Sequence, residues 1–355
     1  MIIPQEKTAV NSTEPLQRPQ STQRGVPATS EGSLQGMCKQ RMSSSVPHNA
    51  GLVRFSLRFQ DYPSRKATAC SSNSLKRESK PEKALTRFIY KEKTVSISKN
   101  GIHITNLAEW HEYAGSKRSG QWGGEGSAIE VAKAWLAAGP GILPHEVSTL
   151  LEISDSFGPV LSWEAEPEVK LPFDQFGGEP RNTDLLVKAS DSHGPFLIGV
   201  EAKSDETFAD TVSKTLCNAL ERKLKSPGSR GIERVEQLAQ SLFGSRRKGE
   251  SSVGGVRYQL LTACGGLLCE GERQNCDRVL MLVHEFATPK TRNEKLERNS
   301  KDLNRFLARL SHGKVTDLNA GKIVGPFEVP GAPLISAKVK LYIGKVTSDL
   351  RRQQN

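Results

Sequence analysis

The most distinctive pattern in the chain is a pair of apolar runs on either side of a polar turn. Thr183-Asp184-Leu185-Leu186-Val187-Lys188-Ala189 and Phe196-Leu197-Ile198-Gly199-Val200-Glu201-Ala202-Lys203 flank Ser190-Asp191-Ser192-His193-Gly194-Pro195. Runs of this length, bounded by turn-forming residues, predict two buried strands joined as a hairpin with a six-residue turn. Upstream, Val95, Ile97, the Asn100-Gly101 turn, Ile102 and Ile104 alternate as a smaller hairpin does. Asn106 then reads as the N-cap of a short helix through Tyr113. A Gly-rich loop from Gly115 to Gly126 precedes a helix with Ala128, Val131, Ala132, Trp135 and Leu136 along one stripe, ended by Gly139-Pro140-Gly141.

A third helix is predicted from Pro144 to Ile153 and a strand from Pro159 to Leu171, ahead of the hairpin. After it come helices at about Ala209 to Lys225, Gly231 to Phe243 and Val256 to Glu272, a buried strand from Arg278 to Phe286, and an amphipathic helix from Arg292 to Leu310. Two late strands, Lys322 to Val329 and Ala337 to Val346, close the chain. The order helix, three strands, helices, strand predicts a mixed α/β layered structure, and no internal repeat is present.

Composition separates the first residues from the rest. Residues 1 to about 90 are rich in Ser, Pro, Gln, Thr and Arg, a mixture that buries too little apolar surface to offset backbone ordering, so a disordered basic extension is expected there and a folded domain over 91–355. The extension carries 14 Lys/Arg against 6 Asp/Glu, a net of +8, whereas the remainder carries 36 against 33, a net of +3. The basic total of +11 is therefore mostly a property of the extension and does not mark the folded part as nucleic-acid-binding. No run approaches the roughly 20 apolar residues that cross a bilayer, and polar residues rather than a signal-peptide core follow Met1-Ile2-Ile3-Pro4. The expectation is a cytoplasmic protein with no membrane partner. Cys38, Cys70, Cys217, Cys264, Cys269 and Cys276 form no CxxC pair and have no His at zinc-site spacing, so they read as free thiols.

The chemistry concentrates on the large hairpin. Residues two apart on a strand share a face, so Glu201 and Lys203 project together while Ala202 points into the opposite layer. If the hairpin is symmetric about its turn, Ala189 lies opposite Phe196 and Asp184 opposite Glu201, with Cβ atoms about 5 Å apart. Ionised groups beside so many apolar neighbours need a partner or a metal. Mg²⁺ or Mn²⁺ suits the donors: Asp184 and Glu201 as carboxylate ligands, the Ala202 carbonyl as a third, with water and phosphate oxygens completing the shell. Lys203 would then orient or deprotonate the attacking water, or stabilise developing charge. The plain alternative is a salt bridge, since Glu-x-Lys recurs often by chance.

Asp184 at the entry of one strand and Glu201-Ala202-Lys203 on the next resemble the PD-(D/E)XK, or restriction-endonuclease-like, nuclease superfamily. The element order from about Gly124 to Phe286 is similar too. So are Ser127-Ala128 with Ala134-Trp135, Arg181-Asn182-Thr183-Asp184, Tyr258-Gln259-Leu260-Leu261 and Val283-His284-Glu285-Phe286, which look like a bacterial branch of that superfamily. The Pro that precedes the Asp in the superfamily is not adjacent here, Pro180 standing four residues upstream. The resemblance implies a core of helix, three-stranded meander, helix and strand over about 124–286, with extra C-terminal helices and strands. It also implies Asp184, Glu201 and Lys203 as catalytic residues, Mg²⁺ or Mn²⁺ as cofactor, nucleic acid, above all DNA, as substrate, a restriction or defence role, and a homodimer for double-strand cleavage.

Many members add an acid from the first core helix, and Glu125 and Glu130 are the candidates. Helical phase puts Glu125 near the sheet-facing side and Glu130 nearly opposite, which favours Glu125, although an acid stabilising the helix dipole is an equal reading. Arg181 and Asn182 are candidate phosphate contacts or plain turn residues, and Arg222, Lys223 and Lys225 candidate backbone contacts or a solvated helix end. His284 reads as a hydrogen-bonded core residue. A catalytically inactive module that keeps the fold for nucleic-acid or protein binding is the competing functional expectation.

Overall fold

The hairpin read from the apolar runs forms the middle of a wide sheet. The computed structural model describes residues 97–115, 122, 126–335 and 338–351. The basic extension, Cys38, Cys70, Val95 and Glu125 lie outside the described residues. Among the described residues, eight strands form one mixed sheet and seven α-helices cover its two sides.

The strands are β1 (Ile97–Lys99), β2 (Ile102–Ile104), β3 (Ser162–Leu171), β4 (Arg181–Asp191), β5 (Gly194–Lys203), β6 (Arg278–Ala287), β7 (Lys322–Phe327) and β8 (Lys340–Asp349). Their order across the sheet is β2-β1-β3-β4-β5-β6-β8-β7. Neighbours are antiparallel except β1 with β3, β5 with β6 and β6 with β8. Asn100 and Gly101, at φ 52° and 80°, make the left-handed pair that a two-residue hairpin turn requires between β1 and β2.

The helices are α1 (Leu107–Ala114), α2 (Ser127–Ala137), α3 (His145–Glu152), α4 (Val212–Lys225), α5 (Gly231–Phe243), α6 (Tyr258–Arg273) and α7 (Asn293–Leu310). Asn106 caps α1 as expected, its side chain accepting from the Glu109 N–H at 3.0 Å. Helices α1 to α3 cover one side, where Trp110, Trp135 and Leu150 pack against Leu185, Val187, Ile198 and Val200. Helices α4 to α7 cover the other, where Leu267, Leu303 and Phe306 belong to the same core as Leu186, Leu197, Met281 and Val283. Consecutive residues of β4 and β5 therefore serve opposite cores, which is why both runs are apolar almost throughout.

The turn of the large hairpin is shorter than its sequence suggests. Asp191 pairs with Gly194, which leaves Ser192 and His193 as the only turn residues. The reason is local: Asp191 Oδ1 accepts from the His193 N–H at 2.8 Å, and Gly194 takes φ 109°. Arg278 then fixes the turn, with its guanidinium 2.7 Å from Asp191 Oδ1 and 3.0 Å from Oδ2. Because the shortening is symmetric, Ala189 still lies opposite Phe196. Of the late strands, β7 starts at Lys322 as expected, whereas β8 runs three residues past Val346, to Asp349, and extends the parallel part of the sheet beyond β6.

No helix of the described residues is long and apolar enough to cross a membrane. Cys217, Cys264, Cys269 and Cys276 are free thiols.

Candidate active site

Charged side chains gather towards one end of β3, β4 and β5. The ladder of β4 with β5 ends at Leu185 with Val200, so Asp184 and Glu201 come next in register. In the ladder of β3 with β4, Pro167 with Leu185 and Val169 with Thr183 bracket Glu168 and Asp184. Glu168, Asp184 and Glu201 thus occupy one row across three adjacent strands. Asp184 replaces the missing ladder bond with its own side chain, Oδ2 accepting from the Ala202 N–H at 2.7 Å.

Alternation sets which side of the sheet these groups face. Leu186 on β4 and Leu197 on β5 belong to the core beneath α4 to α7, so Asp184, Glu201 and Lys203 fall on that side. Ala202 belongs to the opposite core and is fully buried there. Gly199 lets α6 approach, since a Cβ at that position would stand 3.2 Å from both methyl carbons of Leu267. The same helix brings Gln259 onto Glu201, Nε2 donating to Oε1.

Glu201 is the hub of the cluster. It is 2% exposed, Oε1 accepts from Lys203 Nζ at 2.6 Å as well as from Gln259, and Oε2 accepts from Arg181 Nη2. Burial would raise its pKa, but the charges of Arg181 and Lys203 outweigh that and hold it below the usual carboxylate range. Lys203 is equally buried, and its Nζ also donates to the Ala202 carbonyl at 3.1 Å and lies 5.3 Å from the centre of the Phe208 ring. Burial works against its charge, yet Glu201 and Asp184 keep its pKa above the ordinary lysine value.

Asp184 behaves differently. It is half-buried by exposure, but protein surrounds it closely enough that desolvation, then the charge of Glu201, pushes its pKa up to about 7 against the pull of Lys203 and Arg181. Glu168 is also raised, by burial, despite the bond it accepts from Asn182 Nδ2. The charges of Arg181 and Lys203 act on Asp184 and Glu201, and those of Arg181 and Lys99 on Glu168. Lys99 Nζ lies 2.8 Å and 2.9 Å from the Pro167 and Glu168 carbonyls and 3.1 Å from Glu166.

The donor set is hard oxygen: the Asp184 and Glu201 carboxylates and the Ala202 carbonyl. Among the described residues, no three His, Cys, Asp or Glu side chains are arranged to hold an ion between them. Mg²⁺ and Mn²⁺ take one or two carboxylates and fill the rest of the shell with water or phosphate oxygens. Asp184 Oδ1 accepts no hydrogen bond among the described residues. Lys203 Nζ, by contrast, already bridges Glu201 Oε1 and the Ala202 carbonyl.

Sequence reasoning placed Asp184, Glu201 and Lys203 together, and they are together. It missed Glu168, because Trp163, Ala165, Pro167, Val169 and Leu171 alternate without interruption and hide any irregularity. Glu168 has φ 51°, and across it the strand changes sides: Trp163 and Ala165 join the core under α1 to α3, whereas Leu171 joins the other. Gln259 carried a weak signal, as a polar residue in the first turn of an otherwise buried helix.

The phase argument for Glu130 needs correction. It is 3% exposed rather than turned away from the protein, paired with Lys133 at 2.7 Å, but it belongs to α2, on the side of the sheet opposite Glu201. It faces a cavity of about 810 Å³ shared with Glu146, Phe286 and Ser348. Lys223, considered as a backbone contact, is tied to the Ser229 carbonyl at 3.0 Å and lies 3.7 Å from Glu233. His284 is the hydrogen-bonded core residue expected: fully buried, stacked on Phe286, with Nε2 2.8 Å from Ser348 Oγ and 3.1 Å from Glu146 Oε1.

Residues 103–350 match the family described as a domain of unknown function (DUF6946), and the chain belongs to that family. No curated protein and no solved structure matches it.

Proposed function

We propose that this protein is a metal-dependent phosphodiesterase acting on nucleic acid, above all DNA, built on a restriction-endonuclease-like core. The observation that carries the reading is the cluster itself: Asp184, Glu201 and Lys203 on one side of adjacent strands, with the Asp184 pKa raised to about 7 by burial and by the charge of Glu201. The order α2, α3, then an antiparallel meander β3-β4-β5, then helices, then β6 parallel to β5 supports it.

In this reading Asp184, Glu201 and the Ala202 carbonyl hold Mg²⁺ or Mn²⁺. When bound, such an ion lowers the pKa of its water and offsets charge on the phosphoryl group. Lys203, held at the site by Glu201, orients the water that adds to phosphorus and steadies the charge that develops as the ester oxygen departs. Gln259 fixes the rotamer of Glu201. The Ala202 carbonyl accepts from Lys203 Nζ and would offer its second lone pair to such an ion.

A second reading has its own observation: both oxygens of Glu201 are already taken by Arg181, Lys203 and Gln259. On that reading the cluster is structural and the fold is a binding module.

The discriminating experiment incubates the purified full chain with plasmid, single-stranded DNA and RNA, with Mg²⁺ or Mn²⁺ and with EDTA. Cleavage abolished by EDTA and reduced about 100-fold or more in Asp184→Ala and Lys203→Met is expected. Activity indifferent to EDTA or to both substitutions would sink the nuclease reading, and DNA binding without any Mn²⁺ binding would establish the module. Lys203→Met keeps the stem of the side chain, and melting temperatures of the variants separate lost chemistry from lost folding, since removing one partner of a buried pair costs about 3–5 kcal/mol.

A further inference from the structure

Arg181 occupies an unusual position. It is the first residue of β4, its side chain is 13% exposed, and Nη2 donates to Glu201 Oε2. Its Nε is buried and has no hydrogen-bond partner among the described residues. A guanidinium is built to present Nε and one Nη together to a two-oxygen anion, so this one uses half of its fork. A buried donor left without an acceptor needs an explanation, and a missing ligand is one. Asn182, the next residue, is likewise turned onto an acid of the cluster, Glu168.

The two acceptors available to Arg181 are chemically rivals. Glu201 Oε2 is the one oxygen of that carboxylate that Lys203 and Gln259 leave alone. While Arg181 sits there, Glu201 is neutralised by three donors and has little to offer a divalent ion. A phosphate group that reached the first residue of β4 would meet Nε and Nη2 at once, which Glu201 does not do.

We infer that Arg181 is an exchangeable counter-ion: a substrate phosphate draws its guanidinium off Glu201, freeing Oε2 for the metal, so that nucleic acid and metal bind cooperatively through this one residue. The inference rests on the metal-dependent reading above. It makes Arg181 a positioning residue, acting on the ion through Glu201. It also gives the protein a low affinity for metal in the absence of substrate. Coupling between two ligands is reciprocal, so the same factor must appear in nucleic-acid affinity when metal is present.

The test titrates Mn²⁺ into the full chain, following the free-ion paramagnetic resonance signal, with and without a phosphorothioate DNA 12-mer, and with the oligonucleotide alone as control. Wild-type protein is expected to bind Mn²⁺ about ten-fold more tightly with the oligonucleotide than without it. Arg181→Gln should bind Mn²⁺ about ten-fold more tightly than wild type in the absence of DNA, and should lose the dependence on it. Arg181→Lys, which keeps the charge without the fork, guards against a folding artefact: it should retain weak Mn²⁺ binding and show a smaller coupling. Equal Mn²⁺ affinity with and without DNA in wild type, or undiminished coupling in Arg181→Gln, overturns the inference while leaving metal-dependent chemistry standing. Absence of Mn²⁺ binding in every protein and condition overturns both.

Discussion

Buried charges in this protein are arranged in closed sets, and the two sides of the sheet use them differently. Beneath α4 to α7, Glu201 and Lys203 are each held in the charged state by the other, with Arg181 and Asp184 adding to the balance. On the opposite side, Glu146 accepts from Ser348 and faces His284 at 3.1 Å. Burial would raise the Glu146 pKa, but His284 and Ser348 hold it down at about 2, while burial keeps the His284 pKa below its usual value. Both shifts have the same consequence for stability. A depressed folded pKa means that the unfolded chain takes up protons first, so stability is present above about 6.5 for the His284 contribution and above about 4.5 for Glu146, and declines as pH falls. Glu146→Gln is therefore expected to cost about 1–3 kcal/mol at pH 7, with the deficit shrinking between pH 4.5 and about 2 as the carboxylate of the unfolded wild-type chain protonates before the folded one. Urea unfolding at pH 7, 5 and 3 measures it, and a constant deficit across the three would refute the assignment. The lone His284 was legible as a core residue from its apolar strand, but Glu146 and Ser348, far apart in the chain, carried no mark of belonging together. Asp184, Glu201 and Lys203 were legible because two-residue periodicity and hairpin register are local rules. Glu168 was not, because a single left-handed residue leaves the apolar alternation intact.

At the level of elements, the seat of α6 on β5 decides whether Gln259 reaches Glu201. Leu267 lies directly over Gly199, where any side chain would crowd its methyl groups. Gly199→Val should therefore destabilise the protein by about 1–3 kcal/mol by overpacking and lift the start of α6 from the site. Adding Leu267→Ala opens space for the new methyls, so the double variant should be more stable than the sum of the two single effects. A double-mutant cycle in denaturant midpoint checks this, and strict additivity would show that the two residues do not share the contact. Element positions were largely readable from periodicity, to within a few residues at their ends. The turn of the large hairpin was read too long because Asp191 and Gly194, both turn-forming types, are here the last residue of β4 and the first of β5, locked by Arg278 from a strand 84 residues beyond Gly194. Nothing near the hairpin in sequence announces that distant partner.

Across the whole described molecule, sheet order was the least legible property. The parallel neighbours β5, β6 and β8 are joined by long helical excursions, and local patterning does not say which strand returns beside which. The charge asymmetry, by contrast, is pure sequence: most of the excess positive charge resides in residues 1–90, so the total of +11 does not describe the charge of residues 91–355. Strand β3 adds something further. Its first half is anchored in the core under α1 to α3 and its second half in the core under α4 to α7, with the changeover at Glu168 beside the site. A strand moored in this way behaves like a crossed lacing: neither layer can slip without pulling on the other. The two halves of the fold are expected to come apart in a single step, so that backbone amides at Ala165 and Leu171 exchange their hydrogens with the same opening free energy and respond equally to denaturant. Distinct openings for the two would mean that each layer stands by itself, and that the row of acids lies on a seam rather than across a bond between them.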